Sequence, residues 1–201
     1  VKYYTDFSGN TLGSISQNYL YTLKECTVPT NGMVISQATA LCAGTYYLSN
    51  GIVLDTQGKG GPDIQGSAWL ECQGTELKGI NPVYVNGKPY PDSVGIRIDT
   101  ANAKFPPNVN ISGCTLSNYV TGIKADAPLN LDVHDNTFNE IYGTSGGGAG
   151  VWVNAPTFGV IHTLSIVNNT FNGKPAIGTL PNSFIPKTVH GIRVDAFDFA
   201  D

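Results

Sequence analysis

Val133 to Asn139 reads VHDNTFN, and Ile166 to Asn172, 33 residues further on, reads IVNNTFN. The layout recurs in ISGCTLSN (Ile111 to Asn118), where Cys114 stands at the place of Asn136 and Asn169, and Leu116 at the place of Phe138 and Phe171. LECQGTELKG (Leu70 to Gly79) is a looser copy with a residue or so extra at its bend. A second motif alternates with the first: GIVLD at Gly51, GIRID at Gly95, GIKAD at Gly122, GVWVN at Gly150 and GIRVD at Gly191. Two motifs in fixed order, separated by loops of unequal length, describe a chain wound repeatedly past the same points, a solenoid.

Each motif reads as a strand. In Gly-Ile-Arg-Ile-Asp the apolar residues are two apart, so both face one way while Arg and Asp face the other. In the first motif, Asp135-Asn136 and Asn168-Asn169 interrupt the alternation, which resumes at Phe138 and Phe171. Asn and Asp tolerate left-handed backbone angles, so Asn is expected to make the corner and Phe to re-enter the core. Parallel strands lie about 4.8 Å apart, a spacing at which Asn136 and Asn169 should exchange amide hydrogen bonds along the stack.

Composition agrees with an all-β chain: 24 Gly and 12 Pro, one Met, and only 13% charged residues. Its 201 residues suit one domain. With a net charge of −4 and no basic cluster, nucleic acid is not an expected partner. The apolar runs are too short for a membrane span. No basic-then-apolar leader opens the chain at Val1, so a secreted form has already lost its signal. Low charge, four Cys and the acceptor sequons at Asn110 and Asn168 fit an extracellular or cell-surface glycoprotein.

LCAGTYYLSNGIVLDT, LECQGTELKG and NVNISGCTLSNYVTGI together resemble the right-handed parallel β-helix repeats of the pectin-lyase-like superfamily, in particular those of microbial and archaeal surface proteins related to NosD. The resemblance covers about residues 40 to 195. It implies a β-helix over 41–201, with 1–40 as an amino-terminal arm or cap. It implies little about activity, because such repeats occur in lyases, hydrolases, adhesins and structural proteins alike.

Stacking the Gly motifs places Val53, Arg97, Lys124, Trp152 and Arg193 in one outward column and Asp55, Asp99, Asp126, Asn154 and Asp195 in a second. The plain reading is a solvated ladder of ion pairs. Two functional readings compete with it. Arg97, Lys124, Trp152 and Arg193 are a candidate saccharide-binding set, and Asp55, Asp99, Asp126 and Asp195 a candidate calcium set. Catalysis has weak candidates in Asp126, His190, Arg193 and Asp195, since an acid/base pair needs carboxylates in different environments. The paired-Asp, Gly-His-Asp and Arg-Ile-Lys motifs of the superfamily's hydrolases are absent. His134, His162 and His190 lack zinc spacing, no resident cofactor is indicated, and GTSGGGAG precedes a strand instead of opening a helix, unlike a phosphate cradle.

Four cysteines allow three pairings. Cys72 and Cys114 fall near one corner of successive turns, within disulfide reach, and Cys26 would then tie to Cys42; four buried free thiols are the alternative. VKYYTDF and AFDFAD, at the two ends, read as strands that lack partners. Tyr3, Tyr4, Phe7, Phe197 and Phe199 are therefore expected to mediate head-to-tail self-association into a filament or lattice. The leading expectation is an extracellular structural or adhesive protein. The alternatives are a polysaccharide lyase or hydrolase, and a non-catalytic carbohydrate-binding module.

Overall fold

The computed structural model describes residues 25–56, 67–80, 83–85, 88–90, 93–99, 107–126, 130–142, 148–155, 163–174 and 189–196. These residues form strands and no helix. In chain order the strands are β1 (Met33–Ile35), β2 (Thr39–Ala40), β3 (Gly44–Tyr47), β4 (Ile52–Asp55), β5 (Ser67–Lys78), β6 (Val83–Val85), β7 (Lys88–Tyr90) and β8 (Val94–Asp99). They continue with β9 (Asn108–Ser117), β10 (Thr121–Ala125), β11 (Asn130–His134), β12 (Thr137–Tyr142), β13 (Gly148–Ala155), β14 (Thr163–Val167), β15 (Thr170–Lys174) and β16 (Val189–Ala196).

One parallel sheet runs β1-β4-β8-β10-β13-β16. The other runs β14-β11-β9-β12-β15, with β5 joining β2 and β3 to β9. The chain passes through β11, β12 and β13, then pairs them in the same order with β14, β15 and β16. The register is that of the sequence repeat: Val133 faces Ile166 and Phe138 faces Phe171, each 33 residues apart. β1 and β2 already belong to these sheets, ahead of residue 41. The exception to parallel pairing among the described strands is the hairpin β6-β7, whose connecting residues Asn86-Gly87 are a strong hairpin signal.

Alternation explains the core. Along β11, Leu131 and Val133 are buried while Asn130, Asp132 and His134 reach the surface. The same inward set, Ile52, Leu54, Ile96, Ile98, Ile123, Val151 and Val153, fills the space between the sheets. Phe138 and Phe171 stack with ring centroids 4.8 Å apart and planes 4° from parallel. Those rings join the two motifs. A Cβ on Gly122 would lie 2.5 Å from Phe138, and one on Gly150 would lie 2.5 Å from Phe171. In these two copies the Gly that opens the second motif is the floor on which the aromatic ring of the first motif rests.

The corner is shared between two residues instead of made by one. Positive φ falls on Gly74 (72°), Gly113 (68°), Asp135 (57°) and Asn168 (56°), the first residue of each bend. The next position carries the hydrogen bonds. The Asn136 backbone N–H donates to Asn169 Oδ1 at 2.9 Å, and the Asn136 amide donates to Ile111 O (3.0 Å) and His134 O (2.9 Å). Asn136 Oδ1 in turn accepts from the Cys114 N–H at 2.9 Å. Where the Asn ladder ends, Cys114 is bonded to Cys72, with Cα atoms 4.6 Å apart; Cys26 is bonded to Cys42. The looser copy has extra residues because the register shifts between Glu71 and Thr75, which face Ser112 and Cys114. Two disulfides indicate an oxidising environment. No helix among the described residues is long and apolar enough to cross a membrane.

Candidate functional site

Two outward faces carry the polar chemistry. On the six-stranded sheet the register places Val53, Arg97, Lys124, Trp152 and Arg193 side by side. Lys124 Nζ lies 4.7 Å and Arg193 Cζ 4.4 Å from the centre of the Trp152 ring, one from each neighbouring strand. The Trp152 indole N–H donates to Asp195 Oδ2 at 3.0 Å, and Arg193 grips the same carboxylate through Nε (2.9 and 3.1 Å) and Nη2 (2.8 Å). Lys124 Nζ stands 3.3 Å from Asp126, whose Oδ1 accepts from the Asn154 amide at 3.2 Å. Trp152 is therefore enclosed, and a sugar ring stacking on it would first have to displace a cation.

The electrostatics of this face suit a ladder better than an acid catalyst. The hydrogen bonds from Arg193 hold the Asp195 carboxyl below the usual carboxylate range. A general acid needs the opposite shift. Asp126 and Asp195 sit on β10's end and β16, with Asn154 of β13 between them in the column. His190 is exposed, in register with Ala149, five residues before Asp195 on β16. Asn154 likewise interrupts the carboxylate column Asp55, Asp99, Asp126 and Asp195. Among the described residues, no three His, Cys, Asp or Glu side chains gather to hold a metal ion.

The second face lies outside β5, β9, β11 and β14. Here the outward residues form two rows, Asn108-Asn130-Thr163 and Trp69-Asn110-Asp132-Ser165. Together with Val109 and Leu131 they line a groove of about 520 Å³. The first row is a relay: Thr163 Oγ1 donates to Asn130 Oδ1 at 2.9 Å, and Asn130 Nδ2 donates to Asn108 Oδ1 at 2.8 Å. In the second, Asn110 Nδ2 donates to Asp132 Oδ2 at 3.2 Å and lies 3.3 Å from His134 Nε2. His134 Nδ1 is 2.8 Å from Asp135 Oδ2. Trp69 stands at one end of its row with 59% of its surface exposed. The sequence signal for this face is the residue before each copy of the first motif: Trp69, Asn110, Asp132 and Ser165 each precede an inward apolar residue and so point out.

The two sequons differ in surroundings. Asn168 is exposed at a corner with positive φ. Asn110 is half-buried with its amide nitrogen engaged, so a glycan attached there would break the Asp132 bond and fill the groove. Tyr3, Tyr4, Phe7, Phe197 and Phe199 lie outside the described residues. At the last described strand the inward residues Ile192 and Val194 are 45% and 44% exposed, while their partners Val151 and Val153 are fully buried.

Comparisons with models of known protein families, with curated proteins and with solved structures find no match. The site is therefore read on its own chemistry. An open groove with one exposed indole at its end and two rows of amide, hydroxyl and carboxylate groups can hold a polyhydroxylated chain. Among the described residues its lining holds one carboxylate, Asp132.

Proposed function

We propose that the chain is a right-handed parallel β-helix, a β-solenoid like those of the pectin-lyase-like superfamily. Its function is that of an extracellular, non-catalytic adhesive module, which binds a polysaccharide along the groove beside Trp69. The groove itself carries this reading: saccharide sites combine an aromatic face with a few placed polar groups, and here both occur on one exposed surface. Spacing also supports it. Strands about 4.8 Å apart repeat the polar pattern at close to the length of one sugar ring. Pull-down on insoluble cellulose, chitin and pectin tests the reading. The intact chain should be retained by at least one of them without new reducing ends appearing, Trp152→Ala should be retained equally, and Trp69→Ala should be lost to the supernatant. Retention of Trp69→Ala at the level of the intact chain would overturn it.

A second reading rests on Ile192 and Val194. An inward apolar pair left 45% and 44% exposed suits head-to-tail stacking of a second copy on β16 by strand addition. Sedimentation velocity should then show a concentration-dependent series of oligomers that Ile192→Lys with Val194→Lys reduces to monomer. A monomer at every concentration for the unaltered chain rejects this reading and leaves the groove reading untouched.

A further inference from the structure

We infer that the groove beside Trp69 selects uncharged glycans and rejects uronate or sulfated ones, an inference that rests on the polysaccharide-binding reading above. The charge of the lining carries it. Asp132 is the one charged side chain among the groove residues, and it lies in the middle of its row between Asn110 and Ser165. Its Oδ2 accepts one hydrogen bond from a neutral amide and has no cation paired with it among the described residues. Arg97, Lys124 and Arg193, cations that would suit an acidic polymer, stand on the other sheet, where Lys124 lies over Trp152 beside Asp126 and Arg193 lies over Trp152 and holds Asp195.

The binding chemistry follows from what each group offers. An ionised carboxylate only accepts hydrogen bonds, so Asp132 favours the hydroxyl donors of a neutral sugar. A second carboxylate or a sulfate brought beside it meets like-charge repulsion in a partly desolvated groove, which is how a site discriminates against a charged relative of its ligand. Trp69, exposed and in register with Asn110, offers an apolar face to the C–H side of one ring at the end of the chain. The relay from Thr163 through Asn130 to Asn108 orients those amides, so the row presents a fixed polar edge instead of freely rotating groups.

Titration calorimetry of the intact chain with cellohexaose, chitohexaose and oligogalacturonate, at low and at physiological salt, tests this. One of the two neutral oligomers should bind at least tenfold more tightly than oligogalacturonate. Asp132→Asn should narrow that gap at least fivefold by admitting the acidic oligomer, with the gap in the intact chain shrinking as salt rises. Tighter binding of oligogalacturonate, or a preference that Asp132→Asn leaves unchanged, overturns the inference while the saccharide reading stands. If none of the three binds, that reading fails and the inference falls with it.

Discussion

The two tryptophans occupy equivalent situations in the sequence and opposite ones in the molecule. Both are outward residues of parallel strands, each between two inward apolar neighbours. Trp152 has cations of both adjacent strands over its ring and a carboxylate on its N–H. Trp69 faces Asn110 across the register and leaves most of its ring to solvent. An outward aromatic is thus a binding platform only when its axial neighbours do not already satisfy it. Those neighbours, not the aromatic itself, separate the closed Trp152 face from the open Trp69 face.

The largest expected effect removes the support of both faces at once. Phe138→Ala should cost about 3–5 kcal/mol in denaturant unfolding, because the ring is fully buried between Phe171 and Gly122. If it costs less than a surface substitution does, the shared core beneath the faces is wrong. Asn136→Ala comes next, at about 2–4 kcal/mol, since it orphans the Cys114 N–H and the Ile111 and His134 carbonyls in a buried corner. It should loosen the groove face, whose strands meet at that corner, more than the charged face, a difference that amide hydrogen exchange would resolve.

Smaller effects separate the faces themselves. Trp152→Ala should lower stability by about 1 kcal/mol or less, as partly exposed cation–π and ion-pair contacts do, and leave saccharide binding unchanged. Trp69→Ala should leave stability within about 0.5 kcal/mol and lose binding. The smallest effect is one of pH. Asp195's carboxyl is held low in the folded chain, so its contribution is fully present above the ordinary aspartate value of about 3.9 and is lost as pH falls through the lower folded value. The Trp152 indole resonance should therefore hold steady from neutral pH down to that range and move only below it. Movement centred on the ordinary aspartate value of about 3.9 would mean that Arg193 does not hold the carboxylate.

Much of this was legible beforehand, and the omissions are instructive. The 33-residue offset, the Phe stack and the outward column through Trp152 follow from alternation and repeat alone. The corner was read one residue too simply: left-handed geometry falls on Asp135 and Asn168, and ladder bonding on Asn136 and Asn169. At Gly122 and Gly150 the Gly motif's first residue has its reason in the Phe of the other motif, a contact between distant segments that no local pattern states. The groove was missed because its rows are chemically mixed, with Trp, Asn, Asp and Ser at one position and no recurring residue to mark it.

The chain's two tryptophans also supply the most direct test. In a proton–nitrogen correlation spectrum each indole N–H gives one signal, and cellohexaose or chitohexaose can be titrated against both together. The Trp69 signal should shift with saturation while the Trp152 signal, tied to Asp195, stays in place. A shift of Trp152 with Trp69 unmoved, or no shift of either with both oligosaccharides, would contradict the assignment of the binding face.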